Sequence, residues 1–141
     1  MRAVPEGAKG SFALVVSFDH LANRFKDSTL PPVLATPVMI MAMENAALNA
    51  IKPYFEPGES AVGTRVDVEH LAATPVGRHI TAFAEVTGVA GRRIEFRVSA
   101  ADGDEEIGRG THERMVIDLR KFSARLAEKF PNGARRPPGD A

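Results

Sequence analysis

The segment 38–51 is the sequence feature that most constrains the fold. Thr36 followed by Pro37 predicts a helix start, because Thr can cap free backbone amides and Pro is suited to the first helical position. Pro53 ends the helix, since it cannot continue the backbone hydrogen bonds. Almost every residue in between is apolar, so the helix should be surrounded by protein on most sides. A sheet has to curl around this helix, or a second subunit has to cover it.

Five other segments carry the pattern of a sheet. Their apolar and polar residues alternate, as expected of half-buried strands; in one of them Ile94 and Phe96 alternate with Arg93 and Glu95. Short turns join most of these segments, which implies antiparallel pairing. The pattern predicts an α+β fold in which an antiparallel five-stranded sheet wraps around the long central helix, with an amphipathic C-terminal helix at about 119–130. The predicted strands are 11–18, 61–70, 78–89, 92–101 and 106–118.

Length and composition indicate one ordinary globular domain. The chain has 141 residues, and we predict a single domain at 11–130. The ends, 1–10 and 131–141, contain Gly and Pro and are predicted to be flexible tails. Eighteen basic residues balance eighteen acidic ones, which argues against nucleic acid as the main partner. No secretion signal or membrane-spanning run is recognisable, so we expect a cytoplasmic protein with no membrane partner.

Cysteine and metal chemistry are not expected from this sequence. It has no cysteine, which removes disulfides, thiolate metal sites and cysteine nucleophiles. It has four histidines, but no His-Glu-x-x-His helix and no close pair of ligands. We therefore predict no metal site.

Glu44 is a carboxylate placed inside the apolar helix. A charge in such a position is costly unless it is paired or hydrogen-bonded. Glu44 therefore either meets a basic partner at a seam or is poised for general-base or nucleophilic work.

Two other residues can belong to the same site. His70 shares the parity of Val62 and Val66, so it ends an inward-facing row of the second predicted strand; it is either a satisfied core residue or a catalyst. Thr36 is either a plain helix cap or, at a helix N-terminus, also a contact for a polarised oxygen. Thr36 and Glu44 lie about two helical turns apart, so both can line one groove.

Short motifs spread along 12–129 complete the sequence argument. They are Ala35-Thr36-Pro37, Met43-Glu44, Glu56-Pro57-Gly58-Glu59, Gly63-Thr64, Val68-Glu69-His70-Leu71-Ala72-Ala73-Thr74-Pro75-Val76-Gly77, Gly91-Arg92-Arg93, Val98-Ser99-Ala100 and Glu106-Ile107-Gly108-Arg109-Gly110-Thr111-His112-Glu113-Arg114. No single motif is specific. Their combination closely resembles the fluoroacetyl-CoA thioesterase-like family of hot-dog-fold proteins.

The resemblance implies a hot-dog fold that dimerises through its sheets and binds acyl-CoA near the subunit interface. The catalytic Thr, Glu and His of the family fall at Thr36, Glu44 and His70. Gly63 matches the glycine whose backbone lies close to the thioester. Arg114 matches an arginine near the active site.

One loop departs from the family pattern. The member that gives the family its name is associated with an aromatic lid over the acyl group, whereas the loop here offers Asp27, Ser28, Thr29 and Leu30, with Phe25 as the only nearby ring. We therefore expect Leu30 to contact a different short acyl or aryl group. No selectivity for a fluorinated acyl group is assigned.

The expected function is hydrolysis of a small acyl-CoA thioester to free acid and CoA, with a buried Glu44 assisted by Thr36 and His70. The carboxylate either attacks the carbonyl itself or activates a water. Coenzyme A is part of the substrate, and no cofactor is expected. Two alternatives stay open: a non-catalytic acyl-CoA-binding module, and a hot-dog enoyl-CoA hydratase, which fits the motifs less well.

Overall fold

A computed structural model describes residues 1–133, and five strands in it form one antiparallel sheet in the order β1-β3-β4-β5-β2. The predicted α+β architecture is confirmed, including the long helix and the C-terminal helix. A short helix, Ala22–Phe25, also lies in the first long loop. The elements are β1 Lys9–Val15, α1 Ala22–Phe25, α2 Thr36–Ile51, β2 Glu59–His70, β3 His79–Ala90, β4 Arg93–Asp102, β5 Glu105–Asp118 and α3 Leu119–Lys129.

Helix α2 lies on the inner face of the sheet, mainly against β1, β3 and β4. Its small residues allow a close approach: a Cβ on Gly10 of β1 would lie 2.3 Å from the Ala46 carbonyl oxygen and 2.3 Å from the Ala50 amide nitrogen. The start of α2 corrects one expectation. Thr36 does not cap the helix; Ala35 occupies the N-cap position without a side-chain bond, and Thr36 is the first helical residue.

The inner face of the sheet has a covered half and an open half. The covered half is formed by β1, β3 and β4 under α2, and its inward side chains, such as Ile80 and Val98, are buried. The open half is formed by β2 and β5, which contact α2 much less. Val66 of β2, although it points inward, is 41% exposed in the single chain. The polar residues of interest therefore lie beside an uncovered surface.

A β-bulge in β2 changes the predicted face of several residues. The pairing with β5 shifts between Gly63 and Arg65, so Thr64 is the extra residue. Val62 consequently pairs with Met115 on the outer face, while Val66, Val68 and His70 lie on the inner face. The prediction that Val62 and Thr64 share the face of His70 is wrong, because a bulge reverses the alternation of the strand that carries it.

The first ten residues, expected to be a flexible tail, make defined contacts with the domain. Val4 is buried, the Arg2 amide donates to the Tyr54 carbonyl at 2.8 Å, and the Gly7 amide donates to the Val86 carbonyl at 2.8 Å. The domain limits of 11–130 remain a prediction. Most of the second predicted tail, from residue 134 onward, lies outside the described residues.

Helix α3 is amphipathic, as predicted, but its apolar side is not covered. Asp118 caps it by accepting a hydrogen bond from the Lys121 amide at 3.0 Å. Leu119, Phe122 and Leu126 are all exposed. Among residues 1–133, no helix is both long and apolar enough to span a membrane.

Candidate active site

Thr36 and His70 form a hydrogen-bonded pair at the N-terminal end of α2. Thr36 Oγ1 lies 2.8 Å from His70 Nδ1. His70 is the last residue of β2 and faces inward, and burial lowers the pKa of its imidazole below the ordinary value, with a smaller opposing effect of the Ala72 backbone. His70 Nε2 is buried and has no hydrogen-bond partner within the described part of the chain. The pair therefore leaves one imidazole nitrogen without a hydrogen bond among the described residues, and this nitrogen is shielded from solvent.

A groove of about 370 Å³ opens beside this pair. Leu30, which the sequence assigns to substrate contact, lines it together with Thr36 and His70. The other lining residues are Ala22, Lys26, Pro31, Val33, Leu34, Leu71, Ala72 and Ala73. The walls are mostly apolar, which suits a short carbon chain or a ring better than a charged group.

Glu44, Gly63 and Arg114 form a second cluster farther along α2. Arg114 Nη1 lies 3.7 Å from Glu44 Oε2, and a Cβ on Gly63 would lie 3.0 Å from the same carboxylate oxygen. The carboxylate thus rests directly on the Gly63 backbone, which explains why this position has no side chain. The Glu44 side chain is 39% exposed, so the expectation of a buried carboxylate is wrong for the single chain. It faces the open half of the sheet.

Arg114 is held firmly in this cluster. Its Nη2 donates to the Ala61 carbonyl at 2.7 Å, and its Nη1 lies 3.2 Å from His112 Nε2. Burial lowers the pKa of its guanidinium, and the Glu44 carboxylate partly offsets this effect. An arginine nevertheless stays charged in proteins. Arg114 therefore places a fixed positive charge in front of Glu44.

His112 is part of this cluster, although its sequence context predicted no role for it. It is 3% exposed, and its Nδ1 lies 2.7 Å from the Arg65 carbonyl. Burial lowers the pKa of its imidazole. A signal was available: His112 lies two residues before Arg114 in β5 and so faces the same side of the sheet.

The two clusters are separate in the single chain. Within residues 1–133, neither Thr36 nor His70 is hydrogen-bonded to Glu44. Eight residues along a helix correspond to a rise of about 12 Å between Thr36 and Glu44. A ligand that lies along α2 on the open half can contact both clusters. The arrangement offers a carboxylate, a guanidinium and a largely neutral imidazole along one path.

No metal-binding group is formed in the part of the chain that the structure describes. Three or more His, Cys, Asp or Glu side chains do not come together anywhere in residues 1–133.

Close packing explains the glycine at position 108, in the Gly-Arg-Gly stretch of β5, because a Cβ there would lie 2.5 Å from Met39 Sδ.

Known proteins share this sequence and architecture. The fluoroacetyl-CoA-specific thioesterase family matches residues 16–120. The fluoroacetyl-CoA thioesterase of Streptantibioticus cattleyicolor is 52% identical over 103 residues, which are 73% of this chain and 74% of the relative. A variant of a fluoroacetyl-CoA thioesterase solved in complex with acetyl-CoA is 42% identical, with a TM-score of 0.84 over 90% of this chain and 99% of that one. A thioesterase superfamily member from Thermus thermophilus is 32% identical, with a TM-score of 0.84 over 94% and 99% of the two chains.

These similarities, together with the sheet curled on a central helix, define the molecule as a hot-dog-fold thioesterase, and its activity is thioester hydrolysis. The predicted fold and enzyme class are confirmed. More particularly, the chain belongs to the fluoroacetyl-CoA-specific thioesterase family.

Proposed function

We propose that this protein hydrolyses a short acyl-CoA thioester, with Glu44 as the reacting carboxylate and Thr36 and His70 as its assistants. The observation that carries the proposal is the position of Glu44. Its carboxylate lies on the Gly63 backbone, opposite Arg114, on the same helix whose first residue, Thr36, lines the groove at His70.

The proposed reaction follows from the groups along this path. The Glu44 carboxylate attacks the thioester carbonyl, or removes a proton from a water that attacks it. The C–S bond then breaks, and the departing thiolate takes up a proton. In the direct route a water subsequently cleaves the acyl–Glu44 anhydride, which returns the carboxylate.

His70 is suited to proton transfer in this scheme. Its Nδ1 is engaged by Thr36, so the ring orientation is fixed and Nε2 points away from the pair. Because its pKa lies below the ordinary value, the ring is largely neutral near pH 7 and can act as a base for water. Thr36 is a positioning residue, and the N-terminal end of α2 beside it favours a developing negative charge.

The substrate class rests on the relatives and on the groove. The names of the relatives mention fluoroacetyl-CoA, and one of their variants was solved with acetyl-CoA. We propose a CoA thioester whose short acyl or aryl group contacts Leu30. No Phe, Tyr or Trp is among the lining residues, so we expect an unfluorinated acyl group to be accepted as well.

A homodimer is proposed from the open half of the inner face. β2 is an edge strand with a free side, and the inward Val66 and the Met41 side of α2 are exposed in the single chain. Pairing of two β2 edges would place a second copy beside both surfaces. Sedimentation should then show a dimer, and Val66→Glu should shift the protein to monomers. A cytoplasmic location stays a prediction from the sequence.

The catalytic roles can be tested with a panel of CoA esters. The panel comprises acetyl, fluoroacetyl, butyryl and benzoyl esters, and thiol release is followed with a thiol reagent. Glu44→Gln should lower kcat by about 1000-fold and His70→Asn by about 100-fold, as expected for loss of the reacting carboxylate and of a proton-transfer group. Asp67→Asn, an exposed carboxylate on the outer face of β2, is the control and should leave kcat unchanged.

Three results would contradict the proposal. If Glu44→Ala and His70→Ala hydrolysed the whole panel as fast as the wild type, the assigned residues would be wrong. Tight binding of the esters by calorimetry without any turnover would instead favour a binding module. Loss of enoyl absorbance with enoyl-CoA would favour the hydratase.

The direct and the water routes differ in whether the acyl group is ever bonded to Glu44. In a single turnover in oxygen-18 water, the Glu44 carboxylate becomes labelled only if the acyl group is transferred to it and water then attacks the Glu44 carbonyl of the anhydride; attack on the acyl carbonyl labels only the released acid in either route. A rapidly quenched reaction should in addition show the mass of the acyl group on Glu44 in the direct route and not in the water route. Mass spectrometry of the peptide that contains Glu44 makes the distinction.

A further inference from the structure

His112 has both ring nitrogens occupied, and the partners define its protonation state. Nδ1 lies 2.7 Å from the Arg65 carbonyl, which can only accept, so Nδ1 carries a proton. Nε2 lies 3.2 Å from Arg114 Nη1, which can only donate, so Nε2 must be the acceptor. Only the neutral imidazole protonated at Nδ1 satisfies both contacts.

The two contacts connect His112 to the functional part of the site. The Arg65 carbonyl follows the β-bulge directly, so this bond fixes the bend of β2 that presents Gly63 to the carboxylate. The bond to Arg114 orients the same Nη1 that lies 3.7 Å from Glu44. One imidazole therefore determines both the backbone below the carboxylate and the charge in front of it.

We propose that His112 is a positioning residue for the thioesterase reaction. In its neutral form it accepts a hydrogen bond from Arg114 and aims the guanidinium at Glu44; it does not touch the substrate. This inference rests on the proposed role of Glu44. It goes beyond that role, because it assigns a function to a histidine that lies behind the reacting groups.

The surroundings of His112 favour the neutral form. Phe96 of β4 stacks on the ring with the centroids 5.8 Å apart and an interplanar angle of 27°. Besides Arg114, the charged groups that act on the ring are the carboxylates of Glu44 on α2 and, from the outer face of β5, Glu113. The carboxylates favour a protonated ring, but burial outweighs them and lowers the pKa. A protonated ring would also point its Nε2–H at the Arg114 guanidinium, which has donors only.

Two substitutions of His112 each remove one of its two hydrogen bonds and keep the other. In His112→Asn the side-chain amide can replace Nδ1 and keep the bond to the Arg65 carbonyl, but it does not reach Arg114. In His112→Gln the side-chain oxygen can replace Nε2 and keep the bond from Arg114, while the bond to Arg65 is lost. Each variant loses one hydrogen bond, so their losses of stability should be similar.

The two variants should differ in catalysis. We expect His112→Asn to lower kcat by about 10- to 100-fold, the range for a misplaced catalytic group, with KM changed less than about threefold. His112→Gln should keep most of the wild-type kcat, because it keeps the hydrogen bond from Arg114. His79→Asn, on the exposed start of β3, is the control.

Equal losses of kcat in both variants would show that His112 has only a structural role and would overturn the proposal. Nitrogen-15 NMR of the ring provides a readout that does not depend on turnover. It should show the neutral Nδ1–H form at pH 7, and a protonated or Nε2–H ring would also overturn the proposal. If the wild type hydrolysed no ester while the NMR result held, the proposed function would fail and the hydrogen-bonding geometry would stand.

Discussion

The covered and the open halves of the inner face are parts of one sheet, yet they differ in almost every respect. The covered half, β1, β3 and β4 under α2, carries apolar inward side chains without a titratable group. The open half, β2 and β5, carries the inward polar side chains of His70, His112 and Arg114. Backbone pairing is continuous across the boundary between β4 and β5. Packing against α2 therefore separates an apolar region from a region with polar inward side chains within a single sheet.

The difference shows which part of the inner face can accommodate polar side chains. Where α2 touches the sheet, side chains must be small or apolar, because close packing leaves no space for a hydrated group. Where α2 does not reach, inward positions can hold polar groups that bond to one another. Predictions for matched positions in the two halves test this separation, from the largest expected effect to the smallest.

Gly10→Ala should have the largest effect on stability. The added Cβ would lie 2.3 Å from backbone atoms of Ala46 and Ala50, so β1 and α2 would have to move apart. We expect the free energy of unfolding to fall by about 3 kcal/mol, the upper part of the usual range for overpacking. Urea unfolding followed by circular dichroism measures it. Gly88→Ala is the control, because there the nearest atom would be the Glu95 side chain at 3.4 Å; equal losses for both would refute the close-packing argument.

Truncating a valine in each half compares their packing directly. Val86 of β3 is 2% exposed, whereas Val66 of β2 is 41% exposed in the single chain. We expect Val86→Ala to cost about 2 kcal/mol and Val66→Ala less than about 1 kcal/mol in the monomer. If a second copy covers β2, the cost of Val66→Ala should rise with protein concentration, and that of Val86→Ala should not. A cost for Val66→Ala as large as that for Val86→Ala under monomeric conditions would remove the distinction.

The sequence predicts the covered half well and the open half only in part. Alternation in β4 and the apolar helix are local patterns, and packing against α2 enforces them. The bulge at Thr64 is not a local pattern, because it is defined by the register between β2 and β5. His112 was missed for the same reason: its role depends on the Arg65 carbonyl, 47 residues away in the chain. Glu44 was found because a charge in an apolar helix stands out, but its exposure depends on what α2 leaves uncovered.

Gly63→Ala should affect activity more than stability. The Cβ would lie 3.0 Å from Glu44 Oε2, 3.4 Å from His112 Cε1 and 3.7 Å from Arg114 Nη1. The tightest contact is with the end of a side chain, so the carboxylate should move rather than the backbone. We expect kcat/KM to fall about tenfold, equivalent to about 1.4 kcal/mol, while the unfolding free energy changes by less than about 1 kcal/mol. A stability loss as large as that of Gly10→Ala would mean that Gly63 is a packing residue.

The smallest effect concerns how the free energy of unfolding depends on pH. Between pH 7.5 and 5.5, this dependence should come from groups of the open half alone. His70 and His112 both have a pKa below the ordinary value of 6.5 because burial disfavours their charged forms. Below pH 6.5 the unfolded chain therefore binds protons that the folded chain does not. The free energy of unfolding consequently falls as the pH drops toward the pKa values of the two rings in the folded chain. For each histidine the loss is at most about 1.4 kcal/mol per pH unit.

Urea unfolding at pH 7.5 and 5.5 measures this loss, at pH values above the range in which ordinary carboxylates titrate. His70→Asn should reduce the difference between the two pH values, since it removes one of the buried rings. Val86→Ala should lower stability equally at both, because the covered half carries no titratable inward group. A difference that stayed the same in His70→Asn would show that the ring becomes protonated as easily in the folded chain as in the unfolded one, and the neutral imidazole proposed as the base at the groove would lose its physical support.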